Sequence, residues 1–365
     1  MSHSVIDTAD LGGAVNRYGP TAARDVSTKP IRLPTTTVDT HAHILIGEAA
    51  KYIAPLYDLA DIPFARYLSD ESRKIQAQQD ADRTVALADV ADRVAVLDTQ
   101  NIDIQVVAPV PNQCYYMARG EHAAKVSRLV NDGVAAWVAA RPDRFAGLGT
   151  APLQEPEMSA AELEYAVGEL GLKGVQILTN VEGEEISSAR FAPFWAKAEE
   201  LGAVVMLHPM GFTEAQRFSE HYFANVIGNP LDTTVALHHI VFSGLLERHP
   251  GLKIFAVHGG GFLPAYAGRI DHAWGARRDA QSGLPKPPTT YLKKMYFDTT
   301  VFTREQLAYL VENYGADHIM LGTDYPYDMA EYFPVEHIVT TAALSDDQKA
   351  AVAGGTAVGL FGLKR

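Results

Sequence analysis

Short apolar runs alternate with segments of helical periodicity along most of this chain. Eight such runs predict buried strands, because strands covered on both faces read as continuous apolar stretches. The predicted strands span residues 36–43, 102–110, 145–152, 174–178, 203–209, 253–260, 295–300 and 319–326. Predicted helices follow them over residues 84–100, 120–140, 159–170, 190–201, 232–249, 262–275, 303–315 and 344–361.

This alternation of strands with helices predicts an α/β fold, a (β/α)8 TIM barrel. A doubly wound open sheet is the alternative, and the lack of a GxGxxG turn after the first strand disfavours it. Residues 1–33 carry Gly, Pro and Thr without periodicity and are interpreted as an N-terminal extension to a single barrel domain, residues 34–365. An insertion over about residues 44–83 looks polar and irregular, and we expect it to border the substrate pocket.

Composition narrows the function classes. The chain has 365 residues, 47% of them hydrophobic, which suffices for a large single core. The net charge of -13 disfavours nucleic-acid binding, which needs a basic face, yet allows an anionic small substrate held by local arginines. The single cysteine, Cys114, fits a reducing compartment. With neither a secretory pattern near the first residue nor an apolar run of membrane length, we expect a cytoplasmic protein without membrane partners.

Candidate chemistry lies at the carboxyl ends of the predicted strands. His41 and His43 sit two residues apart in the first strand, so both imidazoles project to one side and can reach one metal ion. His208 ends the fifth strand, His258 the sixth and Asp324 the eighth. Each alone has an ordinary structural explanation, such as a strand end, a tight turn or a helix cap. All five at the face where barrel active sites lie indicate a site.

The number of metal ions follows from the fourth strand. A site for two metals needs a bridging carboxylate or modified lysine on a middle strand. The fourth strand offers only Gln176 and Thr179 near its end, and Lys173 precedes it at the opposite face. We therefore expect one divalent ion.

Three imidazole nitrogens, from His41, His43 and His208, and a carboxylate oxygen from Asp324 form a plausible ligand set. Such a set suits Zn²⁺, and Mn²⁺, Fe²⁺ and Co²⁺ are compatible with it. His258 is then left to act in acid/base chemistry, which histidine performs near neutral pH.

Several longer stretches carry a family resemblance. They are His41-Ala42-His43, RFAGLGTAPLQEPE (144–157), ELGLKGVQI (169–177), HPM (208–210), HGGGFLPAYAGRIDH (258–272) and GTDYPY (322–327). Over roughly residues 37–330 the chain resembles the amidohydrolase superfamily, and within it the decarboxylases of the aminocarboxymuconate-semialdehyde type. The HGGG–GRI and GTDYP segments together are specific for this branch.

The resemblance implies a non-oxidative decarboxylation at one divalent metal, with His41, His43, His208 and Asp324 as ligands. His258 would be the general acid/base, and Asp324 is counted with it as a catalytic residue. Arg269, in the GRI segment, would match an arginine that relatives donate across a homodimer interface to the substrate carboxylate.

Further residues are candidates for contact with the substrate. Met210 stands where the family enzyme commonly has Trp after the His-Pro of strand five. The insertion does not align clearly, so Arg83 is the first candidate for a second carboxylate-binding arginine and Arg73 the next. Tyr115 and Tyr116, beyond the second strand, would line a planar substrate or simply pack within their loop.

Three functions stay open from these residues. The first is a carbon–carbon lyase that decarboxylates an unsaturated or aromatic small-molecule carboxylate, such as an aminocarboxymuconate semialdehyde or a hydroxybenzoate. The second is a hydrolase that opens a lactone or amide at the same metal site. The third is a barrel that binds a ligand without turnover. Release of CO2, as against uptake of water, separates the first two, and metal analysis tests the third.

Overall fold

The computed structural model describes residues 31, 33–57 and 62–364. The extension predicted over residues 1–33 lies outside the described residues except at positions 31 and 33, so the domain division stays a prediction. Eight barrel strands occur in the described part: β1 (Val38–Ile44), β2 (Ile104–Pro109), β3 (Phe145–Gly147, resumed at Gly149–Thr150), β4 (Gly174–Leu178), β5 (Val204–His208), β6 (Lys253–Ala256), β7 (Tyr296–Asp298) and β8 (Ile319–Met320).

These strands form a closed parallel barrel. Each strand pairs with its neighbours in chain order, from β1 to β8. The ring closes where Thr40 N donates to Leu321 O at 2.9 Å and His43 N donates to Tyr325 O at 2.8 Å. The predicted (β/α)8 barrel is therefore confirmed, and the open-sheet alternative is wrong because no edge is left between β8 and β1 among the described residues.

Every helix predicted from periodicity has a counterpart. Asp89 divides the helix predicted over residues 84–100, because its side chain accepts a hydrogen bond from Asp92 N and so caps a new helix. The α-helices of the described part are Gly47–Ile53, Pro63–Arg66, Asp70–Asp82, Thr84–Ala88, Val90–Gln100, Gly120–Ala140, Pro156–Glu164, Ala192–Leu201, Asn229–Phe242, Leu245–Arg248, Leu263–Tyr266, Gly268–Ala276, Arg278–Gln281, Thr289–Leu292, Arg304–Tyr314, Pro334–Val339, Asp346–Ala350 and Thr356–Phe361. Within that part, none is long and apolar enough to cross a membrane.

The insertion over residues 44–83 is more regular than the sequence indicated. It contains the helices Gly47–Ile53 and Asp70–Asp82, the second capped by Ser69, whose side chain accepts from Ser72 N. The expectation of an irregular segment is wrong here. Helix Asp70–Asp82 buries only Gln79, so it lacks the apolar stripe by which sequence patterns reveal a helix.

Alternation along the strands decides which side chains face the barrel interior. Val204 and Met206 of β5 pack in the interior cluster, whereas Val205 and Leu207 pack in the layer between strands and helices. His208 lies two residues after Met206, so its side chain also points to the barrel interior. In β1 the register against β2 shifts between Asp39 and Ala42, which is a bulge-like irregularity.

The shift in β1 turns the two histidines inward. Val38 faces the interior cluster, so strict alternation would put positions 41 and 43 on the outer face. After the shift His43 pairs with Ala108 of β2, and Ala108 faces the interior. His41 and His43 therefore face the barrel axis because of the bulge.

Candidate active site

Four of the five strand-end residues converge at the carboxyl end of the barrel. His41 Nε2 and His43 Nε2 lie 3.2 Å apart, and Asp324 Oδ1 lies 3.3 Å and 3.2 Å from them. The His208 ring centroid is 5.3 Å from that of His41 and 4.9 Å from that of His43. One ligand atom from each of these four buried residues falls within 4.8 Å of all the others. The described residues thus form one site for a divalent ion.

The donor atoms fit a bound cation. His208 Nε2 and Asp324 Oδ1 are buried and have no hydrogen-bond partner among the described residues. An unsatisfied buried polar atom costs about 1–3 kcal/mol, and a cation placed among these atoms would satisfy them. Three imidazole nitrogens and one carboxylate oxygen are also a set that zinc-type ions accept.

Outer partners orient the ligand rings. His43 Nδ1 lies 3.2 Å from Pro109 O, and His208 Nδ1 lies 2.7 Å from Pro209 O. A carbonyl accepts only from an N–H, so both rings carry the proton on Nδ1 and leave the Nε2 lone pair for the metal.

The electrostatics of Asp324 and His208 favour the protonation states that metal binding requires. For His41, burial lowers the pKa, but the carboxylates of Asp324 and Asp298 outweigh burial and raise it. Burial alone raises the pKa of Asp324, but the neighbouring His41, His258 and His43 outweigh it and hold that pKa well below the usual range. Burial, together with the positive charge that nearby imidazoles would carry, lowers the pKa of His208 well below that of an exposed histidine. Asp324 is therefore ionised and His208 neutral near pH 7.

Asp298 is a functional residue that the sequence reasoning missed. It ends β7, and its Oδ2 accepts from His41 Nδ1 at 2.7 Å with both side chains fully buried. Its Oδ1 accepts from Gly259 N at 2.7 Å and Thr300 N at 3.2 Å. Asp298 thus orients a metal ligand and the turn that carries His258. The available signal was a carboxylate at the end of an apolar strand, the same signal that identified Asp324.

Gly322 allows the strands to approach closely at this point. A Cβ at this position would lie 2.8 Å from Asp298 Cβ and 3.0 Å from His41 Cβ. Any larger residue would therefore separate His41 from its carboxylate partner.

His258 lies beside the metal group without joining it. Its Nε2 is 3.5 Å from Asp324 Oδ2 and its side chain is 17% exposed. Its Nδ1 has no hydrogen-bond partner within the described ranges. Its backbone φ is +54°, and that of Asp324 is +61°, both in the left-handed region. Strained conformations of this kind concentrate at functional sites. The tight turn also needs Gly259, where a Cβ would lie 2.4 Å from Val301 Cγ1.

A cavity of about 240 Å³ opens onto the metal group. His208, His258 and Asp324 are among the residues that line it. Its apolar lining residues are Ile62, Phe64, Ala65, Leu68, Pro111, Pro209 and Met210. Its other polar lining residues are Gln76, Asp80, Asn112, Tyr222, Asn225, Asn229, Tyr327 and Asp328. The mixture suits a small organic molecule with a few polar groups.

The predicted substrate contacts have different positions. Met210 lines the cavity. The Arg83 guanidinium is buried 4.8 Å from the ring of Tyr327, which also lines it. Arg83 Nη2 donates to Gln79 Oε1 at 3.1 Å, while its buried Nη1 has no hydrogen-bond partner in the part of the chain that the structure describes. Arg73, the next candidate, is exposed and donates to Arg66 O.

Of the predicted substrate contacts, only Met210 lines this chain's own cavity; Arg83, Arg73, Tyr116 and Arg269 are not among its lining residues. Tyr116 is buried, and its hydroxyl accepts from Leu178 N at 3.2 Å, which fits the loop-packing alternative. Arg269 is exposed on helix Gly268–Ala276. Substrate contact by either residue stays a prediction.

Comparisons with known proteins show which family the chain resembles. The amidohydrolase family model matches residues 38–363. The 2-amino-3-carboxymuconate-6-semialdehyde decarboxylase of Dictyostelium discoideum is 35% identical over 272 residues, which cover 74% of this chain and 76% of that protein. The gamma-resorcylate decarboxylase of Rhodococcus jostii (strain RHA1) is 29% identical, over 76% of this chain and 89% of that protein.

A solved structure of a decarboxylase shares the fold of this chain. The crystal structure of 5-carboxyvanillate decarboxylase from Sphingomonas paucimobilis superimposes with a TM-score of 0.79 and 26% identity, over 90% of this chain and 100% of that one. Three findings confirm the resemblance found in the sequence: a family model that spans nearly the whole barrel, a relative at 35% identity, and the agreement in fold. The chain therefore belongs to the amidohydrolase family.

Proposed function

We propose that this chain is a metal-dependent, non-oxidative decarboxylase of an unsaturated or aromatic carboxylate. The proposal rests on the buried group of three histidines and one aspartate that could bind a metal. His258 lies beside this group without belonging to it, and the cavity next to them has both apolar and polar lining residues. The relatives named above are decarboxylases, which favours loss of CO2 over hydrolysis.

Zn²⁺ is the proposed ion, because three nitrogen donors and one oxygen donor suit it. A divalent ion, when bound, polarises an oxygen of the substrate and stabilises the negative charge that develops as CO2 leaves. The chain's own part is to hold His41, His43, His208 and Asp324 at fixed positions. Their burial strengthens the electrostatic interactions among them.

His258 is the proposed proton donor. Loss of CO2 leaves an electron pair on carbon, and a proton must replace the carboxyl group. His258 lines the cavity and adjoins Asp324, whose carboxylate would pair with the imidazolium form. The imidazolium would deliver the proton to that carbon.

Two arginines are the proposed carboxylate clamps. Arg83 has a buried, unpartnered Nη1 next to the cavity-lining Tyr327, and a substrate carboxylate would satisfy that donor. Arg269 would act on the cavity of a second copy in a homodimer. Phe262 and Tyr266 precede it in the same surface region and are 45% and 68% exposed, so a second copy would also cover apolar area.

A substrate panel tests the function. Purified protein would be incubated with unsaturated and aromatic carboxylates, including muconate semialdehydes and hydroxybenzoates, and with lactones. CO2 release that disappears after chelation and returns with Zn²⁺ or Mn²⁺ is expected. Turnover of lactones alone, with uptake of water and no CO2, would refute the decarboxylase proposal.

A cytoplasmic location is also proposed, because the single cysteine, Cys114, is free and buried, as is usual in a reducing compartment.

A further inference from the structure

A buried arginine lies directly behind the two histidines of β1. Arg93, in helix Val90–Gln100, is fully buried. Its Nη2 donates to His43 O at 2.7 Å and to Ala86 O at 2.6 Å, and its Nη1 donates to Gln105 Oε1 at 2.8 Å. The guanidinium also lies 4.7 Å from the ring centroid of Tyr325, the residue after the ligand Asp324. One side chain therefore contacts a ligand's backbone and the neighbour of another ligand.

The hydrogen bonds continue from Gln105 to the bulge of β1. Gln105 Nε2 donates to Asp39 Oδ2 at 2.8 Å. Asp39 Oδ1 accepts from His41 N at 3.1 Å and from Thr323 N at 3.0 Å, and its Oδ2 accepts from Thr323 Oγ1 at 2.7 Å. All of these residues are fully buried. The network thus joins the bulge, which turns the histidines inward, to the residue before Asp324 across the seam where the barrel closes.

The charge distribution makes this network unusual. Among the described residues, no carboxylate pairs directly with Arg93, so the counter-charge is Asp39, reached through the Gln105 amide. Burying an ion pair costs several kcal/mol per ion unless the geometry is well satisfied. Three carbonyl or amide acceptors on Arg93 and four donors on Asp39 supply most of that satisfaction, while the buried Arg93 Nε has no hydrogen-bond partner among the described residues.

We infer that Arg93, acting through Gln105 and Asp39, is a positioning residue for the metal site. It holds the β1 bulge so that His41 and His43 face Asp324 at ligand distance. This inference rests on the metal site of the proposed function. Without Arg93 or its relay, the bulge could relax toward regular alternation, which would carry the histidines away from the barrel axis.

Metal affinity is the readout that separates positioning from stability. Chelator-treated wild type, Arg93→Met and Gln105→Leu would be titrated with Co²⁺, and the visible absorption would report both the dissociation constant and the ligand geometry. We expect each variant to bind Co²⁺ about 10- to 100-fold more weakly, the usual cost of losing an outer partner of a metal site. A changed Co²⁺ spectrum is expected as well.

Arg144→Met is the matched control. Arg144 also donates to backbone carbonyls of the β2 region, Ile102 O at 2.9 Å and Asp103 O at 2.8 Å, but at the opposite end of the barrel. It should lower the thermal midpoint and leave Co²⁺ affinity unchanged.

Each result bears on the inference. Wild-type Co²⁺ affinity in both Arg93→Met and Gln105→Leu would overturn it, and so would an equal loss of affinity in Arg144→Met. If Arg93→Met does not fold, Gln105→Leu decides, because it cuts the relay and keeps the arginine. A wild-type protein that binds no Co²⁺ would overturn the metal site itself, whereas failure of the inference alone leaves wild-type binding intact.

Discussion

Replacing Asp298 by asparagine should damage metal binding without removing any metal ligand. The asparagine side chain would have to present its oxygen to Gly259 N and Thr300 N, which now donate to Asp298 Oδ1 at 2.7 Å and 3.2 Å. Its amide NH2 would then face His41 Nδ1, where the carboxylate now accepts at 2.7 Å. To accept from that NH2, His41 must shift its proton to Nε2, the nitrogen that faces the metal group. The opposite amide orientation would set the NH2 against two backbone N–H donors.

The expected loss of metal affinity follows from this change in hydrogen bonding. A buried hydrogen bond to a charged group contributes about 1.5–3 kcal/mol, and the His41–Asp298 contact is fully buried on both sides. Since about 1.4 kcal/mol is a factor of ten, metal affinity should fall about 10- to 100-fold. This range matches the effect usually seen when a histidine ligand loses its carboxylate partner.

Competition between the protein and a chromophoric chelator for Zn²⁺ measures the affinity directly. Asp103→Asn is the control: Asp103 Oδ2 accepts from Thr37 N at 2.9 Å and Thr37 Oγ1 at 3.0 Å, at the other end of the barrel. Asp103→Asn should keep wild-type affinity. Unchanged Zn²⁺ affinity in Asp298→Asn would refute the tautomer argument.

Three further predictions address the ligands, the acid and the assembly. Elemental analysis should find one divalent ion per chain in wild type and none in His41→Ala, which should be inactive; two ions per active chain would contradict the single site. His258→Asn should keep its metal while kcat falls by about 10²-fold or more, and a metal-free variant would make His258 a ligand instead. Arg269→Ala and His258→Asn homodimers should each be nearly inactive. When equal amounts exchange subunits at random, half of the dimers are heterodimers with one intact site of two, so about a quarter of wild-type activity should return. Proven exchange without recovery would mean that Arg269 does not act across an interface.

Local patterns were enough to predict the barrel and its ligand set. Buried parallel strands require continuous apolar runs, so the positions of β1 to β8 are visible in the chain. The ligand types and their places at strand ends are equally local: an HxH segment, His208 before Pro209, and Asp324 in GTDYP. Because barrel topology brings all strand ends to one face, these separate signals imply one site.

Features that depend on contacts between distant parts of the chain had no such signal. Asp298 matters because it meets His41, 257 positions away, and Arg93 matters because a helix packs it behind the β1 bulge. The bulge itself was hidden, since HxH reads as regular alternation whichever face it presents. Helix Asp70–Asp82 was missed because it buries only Gln79 and therefore carries almost no periodicity. Residue type and spacing thus determined the fold and the candidate metal ligands, whereas packing across the barrel decided how those side chains are oriented. The reason is that their orientation depends on long-range hydrogen bonds, which produce no periodic pattern in the sequence.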